Sequence, residues 1–191
     1  MVYDGILVGI IVALLRGGNF SKFAELKFKY ALVFPILLIV QITIFAIQNK
    51  FELVGNYSNI TFMLIYVIGI YLLWLNREHR GFNLILVGVV LNFIVMAVNG
   101  GRMPVSIEAS QMLDPYFVEA LTNSLYGKHE AITEATRLAF LGDIIPLQAP
   151  YPKEQVISIG DVIMNIGVFI FIQYVMVESR KNANKVSSST N

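Results

Sequence analysis

Four side chains between residues 99 and 161 are of types that can do chemistry: Arg102, His129, Asp143 and Asp161. A guanidinium grips a carboxylate or phosphate through its fork of N–H donors. His129 is the one side chain in this stretch that titrates near neutral pH, and an aspartate can act as acid, base or counter-ion. We read the four as candidate ligand-binding residues, with Arg102, Asp143 and Asp161 lining one outward-facing pocket. Each also has a plainer structural role. Asn99-Gly100-Gly101 before Arg102 has the form of a helix C-cap, after which the arginine can snorkel to lipid phosphate. Lys128, Glu130 and Glu134 beside His129 suggest a solvated helix start. Asp143, within Leu141-Gly142-Asp143-Ile144-Ile145-Pro146, has apolar neighbours and needs a partner such as Arg102, Arg137 or His129. Ser158-Ile159-Gly160-Asp161 has the S-x-x-[DE] form of a capping box.

The chain has no cysteine, so thiolate chemistry, disulfides and Cys-type metal sites are excluded. One histidine with two aspartates makes a weak metal signal, and H-x-x-x-H and H-E-x-x-H spacings are absent. No metal is therefore expected. Nucleophile elbows, phosphate-binding glycine loops and dinucleotide fingerprints are missing too, so no cofactor is expected. Recognition of a small ligand, lipid headgroup or partner protein is the leading reading. Its rival is an enzyme acting on a lipid-linked substrate at the outer leaflet, with Asp143 or His129 as acid or base and Arg102 holding an anionic group. A transporter component is a second rival, although no repeated half and no ladder of embedded charges is evident.

The elements that must position these residues are apolar. Hydrophobic residues make up 56% of the chain and charged residues 14%, against about 25% charged in soluble domains. Five apolar runs, at about residues 1–15, 30–47, 57–75, 82–98 and 157–177, approach the length that crosses about 30 Å of hydrocarbon. Of the 14 Lys and Arg, nine flank one set of ends: Arg16, Lys22, Lys27, Lys29, Arg77, Arg80, Arg180, Lys181 and Lys185. The positive-inside rule makes that side cytoplasmic, with the N-terminus outside and the C-terminus inside. Three acidic residues accompany these nine, whereas ten accompany the five basic residues of the other side. The expected fold is all-α: one integral-membrane domain over residues 1–191, a five-span helical bundle with a small helical extracytoplasmic cap at 99–156 and a cytoplasmic tail at 178–191. Membrane lipids are the expected partners, with a ligand or partner protein at the outer face and no nucleic acid.

Local signals refine this. Gly5, Gly9 and Ala13 form a small-residue stripe for close helix packing. Gly17-Gly18 ends the first span, and Ser21 is read as capping an interfacial elbow with Phe20, Phe23, Leu26 and Tyr30 on one face. Pro35 should kink or reorient the second span toward its inner end, and Gln41 should find a partner within the bundle. Residues 76–81 make a tight turn in which His79 is read as solvated. Asn92, Asn165 and Gln173 suit interhelical hydrogen bonds. In the cap, Ser106 or Asp114 starts a helix, the latter with Pro115 at the first position and Gly127 as the stop. A second cap helix is expected over 131–141, followed by an extended connector with Pro146, Pro150 and Pro152. The tail from Arg180 should be disordered after its first turn or so, since Lys185 to Asn191 offers no apolar face.

Through Asn99-Gly100-Gly101-Arg102-Met103-Pro104-Val105, Phe140-Leu141-Gly142-Asp143-Ile144-Ile145-Pro146, Ser158-Ile159-Gly160-Asp161 and Leu15-Arg16-Gly17-Gly18, the chain resembles a bacterial family of small multi-pass membrane proteins known as a domain of unknown function. The resemblance runs through most of the chain. It implies a bacterial cytoplasmic membrane and an outer-face site at Arg102, Asp143 and Asp161, and carries no activity or substrate with it.

Overall fold

The computed structural model describes residues 2–48, 50–113, 115–122, 128–149, 151 and 153–178. The tail from Arg180, and Asp114, Gly127, Pro150 and Pro152, lie outside the described residues. The chain is mostly helical. Its helices are α1 (Val2–Leu15), α2 (Val33–Ile47), α3 (Glu52–Leu75), α4 (Phe82–Val98), the short α5 (Ile107–Ser110) and α6 (Pro115–Thr122), and α7 (Ile159–Gln173), which continues into a π turn, Tyr174–Glu178. Two stretches, Tyr57–Leu75 and Ile159–Val177, are long and apolar enough to cross a membrane; α1, α2 and α4 are apolar but shorter.

The apolar helices neighbour one another in the order α2, α3, α4, α7, α1. Glycines set the two tightest contacts. Gly88 of α4 faces Gly160 of α7, and Gly81, at the start of α4, faces Gly167. A Cβ on Gly167 would stand 2.7 Å from the Gly81 carbonyl oxygen and the Ile85 nitrogen, so the two backbones touch with no room for a side chain. Against the other side of α7, Gly5 meets Asn165 and Gly9 meets Ile172. Ala13, fully buried, packs with Ile172, Met176 and Val177. Two α7 amides then clamp α1: the Gly5 N–H donates to Asn165 Oδ1 at 3.1 Å, and Gln173 Nε2 donates to the Gly9 carbonyl at 2.7 Å. Arg16 closes this end by donating to Gln173 Oε1 at 2.8 Å.

Several local expectations are corrected. Pro35 is the third residue of α2, in the first turn, where the helix has no donor to lose, so it starts the helix rather than kinking it. Gln41 makes no side-chain hydrogen bond among the described residues, and α2 buries none of its residues. Asn19, not Ser21, caps the elbow, a 3₁₀ helix at Phe20–Glu25; its side chain accepts from the Ser21 N–H at 2.9 Å. His79 is not solvated like a loop residue. Its ring lies 4.9 Å from Phe28, 5.4 Å from Phe82 and 6.3 Å from Phe171.

The lobe between α4 and α7 contains strands, which corrects the purely helical cap. Strand β1 (Met103–Val105) pairs in parallel with β2 (His129–Ala131), and β3 (Ile145–Leu147) pairs antiparallel with β4 (Gln155–Ile157), Pro146 opposite Val156. The helix expected at 131–141 is absent: β2 ends at Ala131, and only a 3₁₀ turn, Ala139–Leu141, forms. The Asn99 side chain accounts for part of this. It accepts from the Arg137 N–H at 2.9 Å and donates to the Arg137 carbonyl at 2.8 Å, taking both backbone groups a helix would use. Leu138 then adopts φ 52°, outside helical space. At the other end Ser106 caps α5 by accepting from the Ala109 N–H, and Pro115 takes the first position of α6. Val105, Leu121 and Val156 form the lobe's core; Val95, Met96 and Met103 seat it on α4.

Candidate functional site

Asp161 belongs to the packing of α7 on α4. Ser158 and Asp161 form a complete capping box: the Asp161 N–H donates to Ser158 Oγ at 3.0 Å and the Ser158 N–H to Asp161 Oδ2 at 3.2 Å. Asn92 of α4 completes a closed triangle. Its Nδ2 donates to Asp161 Oδ1 at 3.0 Å, and its Oδ1 accepts from Ser158 Oγ at 2.8 Å. All three residues are buried, and every polar atom named has a partner, as burial demands. The glycine contact of Gly88 with Gly160 lies one turn away and brings the backbones close enough for the short Asn92 side chain to reach.

Asp143 sits deeper in the lobe, 2% exposed. Its backbone is locked: the N–H donates to the Pro104 carbonyl at 2.8 Å and the carbonyl accepts from Ser106 at 2.9 Å, bridging β1 on the edge opposite β2. Through β1 this places its carboxylate near His129, with Oδ2 3.7 Å from Nε2, an ion-pair separation longer than a hydrogen bond. Oδ1 has no hydrogen-bond partner among the described residues. Burial pushes the Asp143 carboxyl well above the usual range, the charge of Asp161 adds to this, and Lys128 opposes it. Burial, helped by Lys128, pulls His129 down to about 3. Burial thus favours the neutral acid at Asp143 and the neutral imidazole at His129. Lys128 carries the charge here. Its pKa is raised by Tyr66 first and by Asp143 and Asp161 after it, against burial, and its ammonium stands 5.8 Å over the Tyr66 ring.

Arg102 goes elsewhere. No ion pair joins it to Asp143 or Asp161 among the described residues. Gly100 (φ 69°) and Gly101 (φ 86°) turn the chain at the end of α4, with the Gly101 N–H donating to the Met96 carbonyl at 2.8 Å as a C-cap. The guanidinium Nε then makes a long 3.5 Å contact to Asn59 Oδ1 on α3, while Asn59 Nδ2 holds the Gly100 carbonyl at 3.1 Å. Asn59, Gly100 and Gly101 form the polar end of an apolar groove of about 350 Å³ between α3 and α4. Glu130 feels the Arg102 charge, which offsets part of the rise that burial imposes on its carboxyl. Beyond this groove, a second, of about 340 Å³, runs between α1 and α7 and carries Asp4 and Tyr151 at its polar end. A third, more polar, of about 320 Å³ is lined by Asn99, Glu130, Thr133 and Thr136.

The four candidates thus divide into three settings. His129 and Asp143 come together, Asp161 joins Asn92 and Ser158 while remaining within electrostatic reach of Asp143, and Arg102 reaches Asn59 at the polar end of the groove between α3 and α4. No group of three or more metal-ligating side chains occurs among the described residues. Sequence reading overlooked Asn59, Tyr66 and the charge role of Lys128. Asn59 carried a usable signal, a polar residue in the first turn of an apolar run; Tyr66 and Lys128 carried none, because only the tertiary fold brings them together.

No solved structure matches the chain. An uncharacterised protein of Thermotoga maritima is 32% identical over 171 residues, covering 90% of this chain and 89% of that protein. Residues 25–173 match the family described as a family of unknown function (DUF5317), and both likenesses cover the lobe and the helices that hold it. With that extent of agreement, the chain belongs to this bacterial family of unknown function.

Proposed function

We propose that the chain is a five-span helical protein of the bacterial cytoplasmic membrane, N-terminus outside and C-terminus inside, whose outer lobe recognises a ligand rather than transforming one. The membrane reading is supported by α2, which is almost wholly apolar and buries no residue: Ile36, Leu38, Ile39 and Ile42 are each more than half exposed. Water would penalise that surface by about 25 cal/mol for every Å², and lipid removes the penalty. Shorter helices span by thinning the bilayer locally or by placing their polar ends in the interface.

One observation carries recognition over catalysis: the acid candidate Asp143 is buried while the binding candidate Arg102 is partly exposed. Asp143 and His129 line none of the three grooves, whereas Arg102 follows Gly101 of the groove between α3 and α4 and reaches Asn59 at its polar end. An acid or base must come within about 3 Å of its substrate, which a carboxyl 2% exposed cannot do without the lobe opening. Single-cysteine labelling tests the topology, since the chain has no native cysteine. With a membrane-impermeant thiol reagent on intact cells, Glu134→Cys should label and Arg77→Cys should not; the opposite pattern sinks the reading.

A further inference from the structure

We infer that the groove between α3 and α4 binds an anionic phospholipid of the outer leaflet, acyl chain in the groove and phosphate on Arg102. The inference rests on the topology proposed above, which puts this end of α3 and α4 at the outer leaflet. Its geometry is that of an amphiphile. The groove is lined by Ile60, Met63, Leu64, Val67, Phe93 and Ala97, with polar groups confined to the end formed by Asn59, Gly100 and Gly101. Its volume of about 350 Å³ suits part of one acyl chain rather than a compact polar molecule. Gly101 keeps the mouth narrow and open at once: a Cβ there would stand 3.1 Å from Asn59 and 3.2 Å from Met63.

Charge selects the headgroup. Arg102 is partly exposed; Glu130 lies within reach of its charge but forms no ion pair with it, and its one side-chain hydrogen bond among the described residues, the 3.5 Å contact to Asn59, leaves most of the guanidinium fork for a phosphate. The same contact orients the fork at the mouth. The groove between α1 and α7 has similar volume and apolar walls but an acidic end at Asp4. It serves as the internal control, because an anionic lipid gains nothing from a carboxylate.

The test uses the full-length protein in detergent, with lipid binding read by native mass spectrometry and by thermal shift. Phosphatidylglycerol should bind more tightly than phosphatidylcholine by about fivefold, the scale of one basic residue acting on an anionic headgroup. Arg102→Gln should erase that preference while leaving residual binding of both lipids. Leu64→Trp, at an exposed position of the groove wall, should weaken both, with Val67→Trp as the second variant if the first misfolds. Val8→Trp, in the control groove, should change neither. Equal binding of the two lipids, or an unchanged preference in Arg102→Gln, overturns the inference. Glycerol phosphate binding as tightly as phosphatidylglycerol also overturns it, because the groove would then contribute nothing. If the cysteine pattern is as proposed and the lipid preference is absent, this inference alone falls; a reversed cysteine pattern removes the topology beneath it.

Discussion

Replacing Asp161 by alanine removes two acceptors at once, one for the Ser158 N–H and one for Asn92 Nδ2. Losing half of the capping box at the start of α7 costs about 1 kcal/mol. The interhelical bond from Asn92 is itself worth little, about 0.6 kcal/mol on average inside a bilayer. The amide it leaves behind matters more: Asn92 is 4% exposed, and a buried donor without a partner costs about 1–3 kcal/mol. The sum is about 2–4 kcal/mol. Asp161→Asn keeps one oxygen, which can accept from Asn92 or from Ser158 but not both, so about half that loss is expected. Asn92→Ala combined with Asp161→Ala should lose less than the two single changes added together, since the orphaned amide is gone. Reversible unfolding in mixed detergent micelles reads all of these. A loss below about 1 kcal/mol for Asp161→Ala, or strict additivity in the double variant, would refute the closed triangle and return Asp161 to the list of free ligand-binding groups.

Further outcomes follow from the same contacts. The folded-state pKa of His129 is lowered to about 3, so its contribution to stability is fully present above its unfolded value of about 6.5 and is lost as pH falls toward 3. That of Asp143 is raised, so its contribution is present below about 3.8 and is lost as pH rises through the raised value. His129→Gln should therefore flatten the loss of thermal stability between pH 6 and pH 4, and Asp143→Asn should be less damaging at pH 8 than at pH 5; effects independent of pH would contradict the buried neutral pair. Gly167→Ala places a methyl group against the Gly81 carbonyl and the Ile85 nitrogen, which are backbone atoms that cannot rotate away, so a loss of about 1–3 kcal/mol is expected on unfolding in detergent. Arg102→Gln should cost less than about 1 kcal/mol by the same assay, since the guanidinium holds no buried carboxylate.

What could be read from the sequence was local. The bounds of α4 fall at residues 82 and 98 because Gly81 and Asn99-Gly100-Gly101 punctuate both ends. The capping box was visible because four consecutive residues make it. Strand β2 was not visible: three residues long, it exists only by pairing with Met103–Val105, more than twenty residues earlier. Its residues Glu130 and Ala131 fit a helix equally well until that partner is known. His79 was misread for the same reason, since Phe28 and Phe171 reach it from distant parts of the chain. The glycine seam was legible in principle. Gly81 and Gly88 are seven residues apart, as are Gly160 and Gly167, and helices carrying small residues at matched spacing can pair. At the candidate site, which of the four residues meet depends on β1 running past both His129 and Asp143, a placement that no spacing encodes.

The most direct measurement is an experimental density map of the protein in nanodiscs containing phosphatidylglycerol. Headgroup density is expected within about 3 Å of the Arg102 guanidinium, the distance of a charge-assisted hydrogen bond, continued by chain density between α3 and α4, with Asp143 and His129 untouched by lipid. Density beside Asp143 and His129 in a cleft open to the membrane, with Arg102 bare, would contradict that expectation and make those two residues the centre of an enzyme.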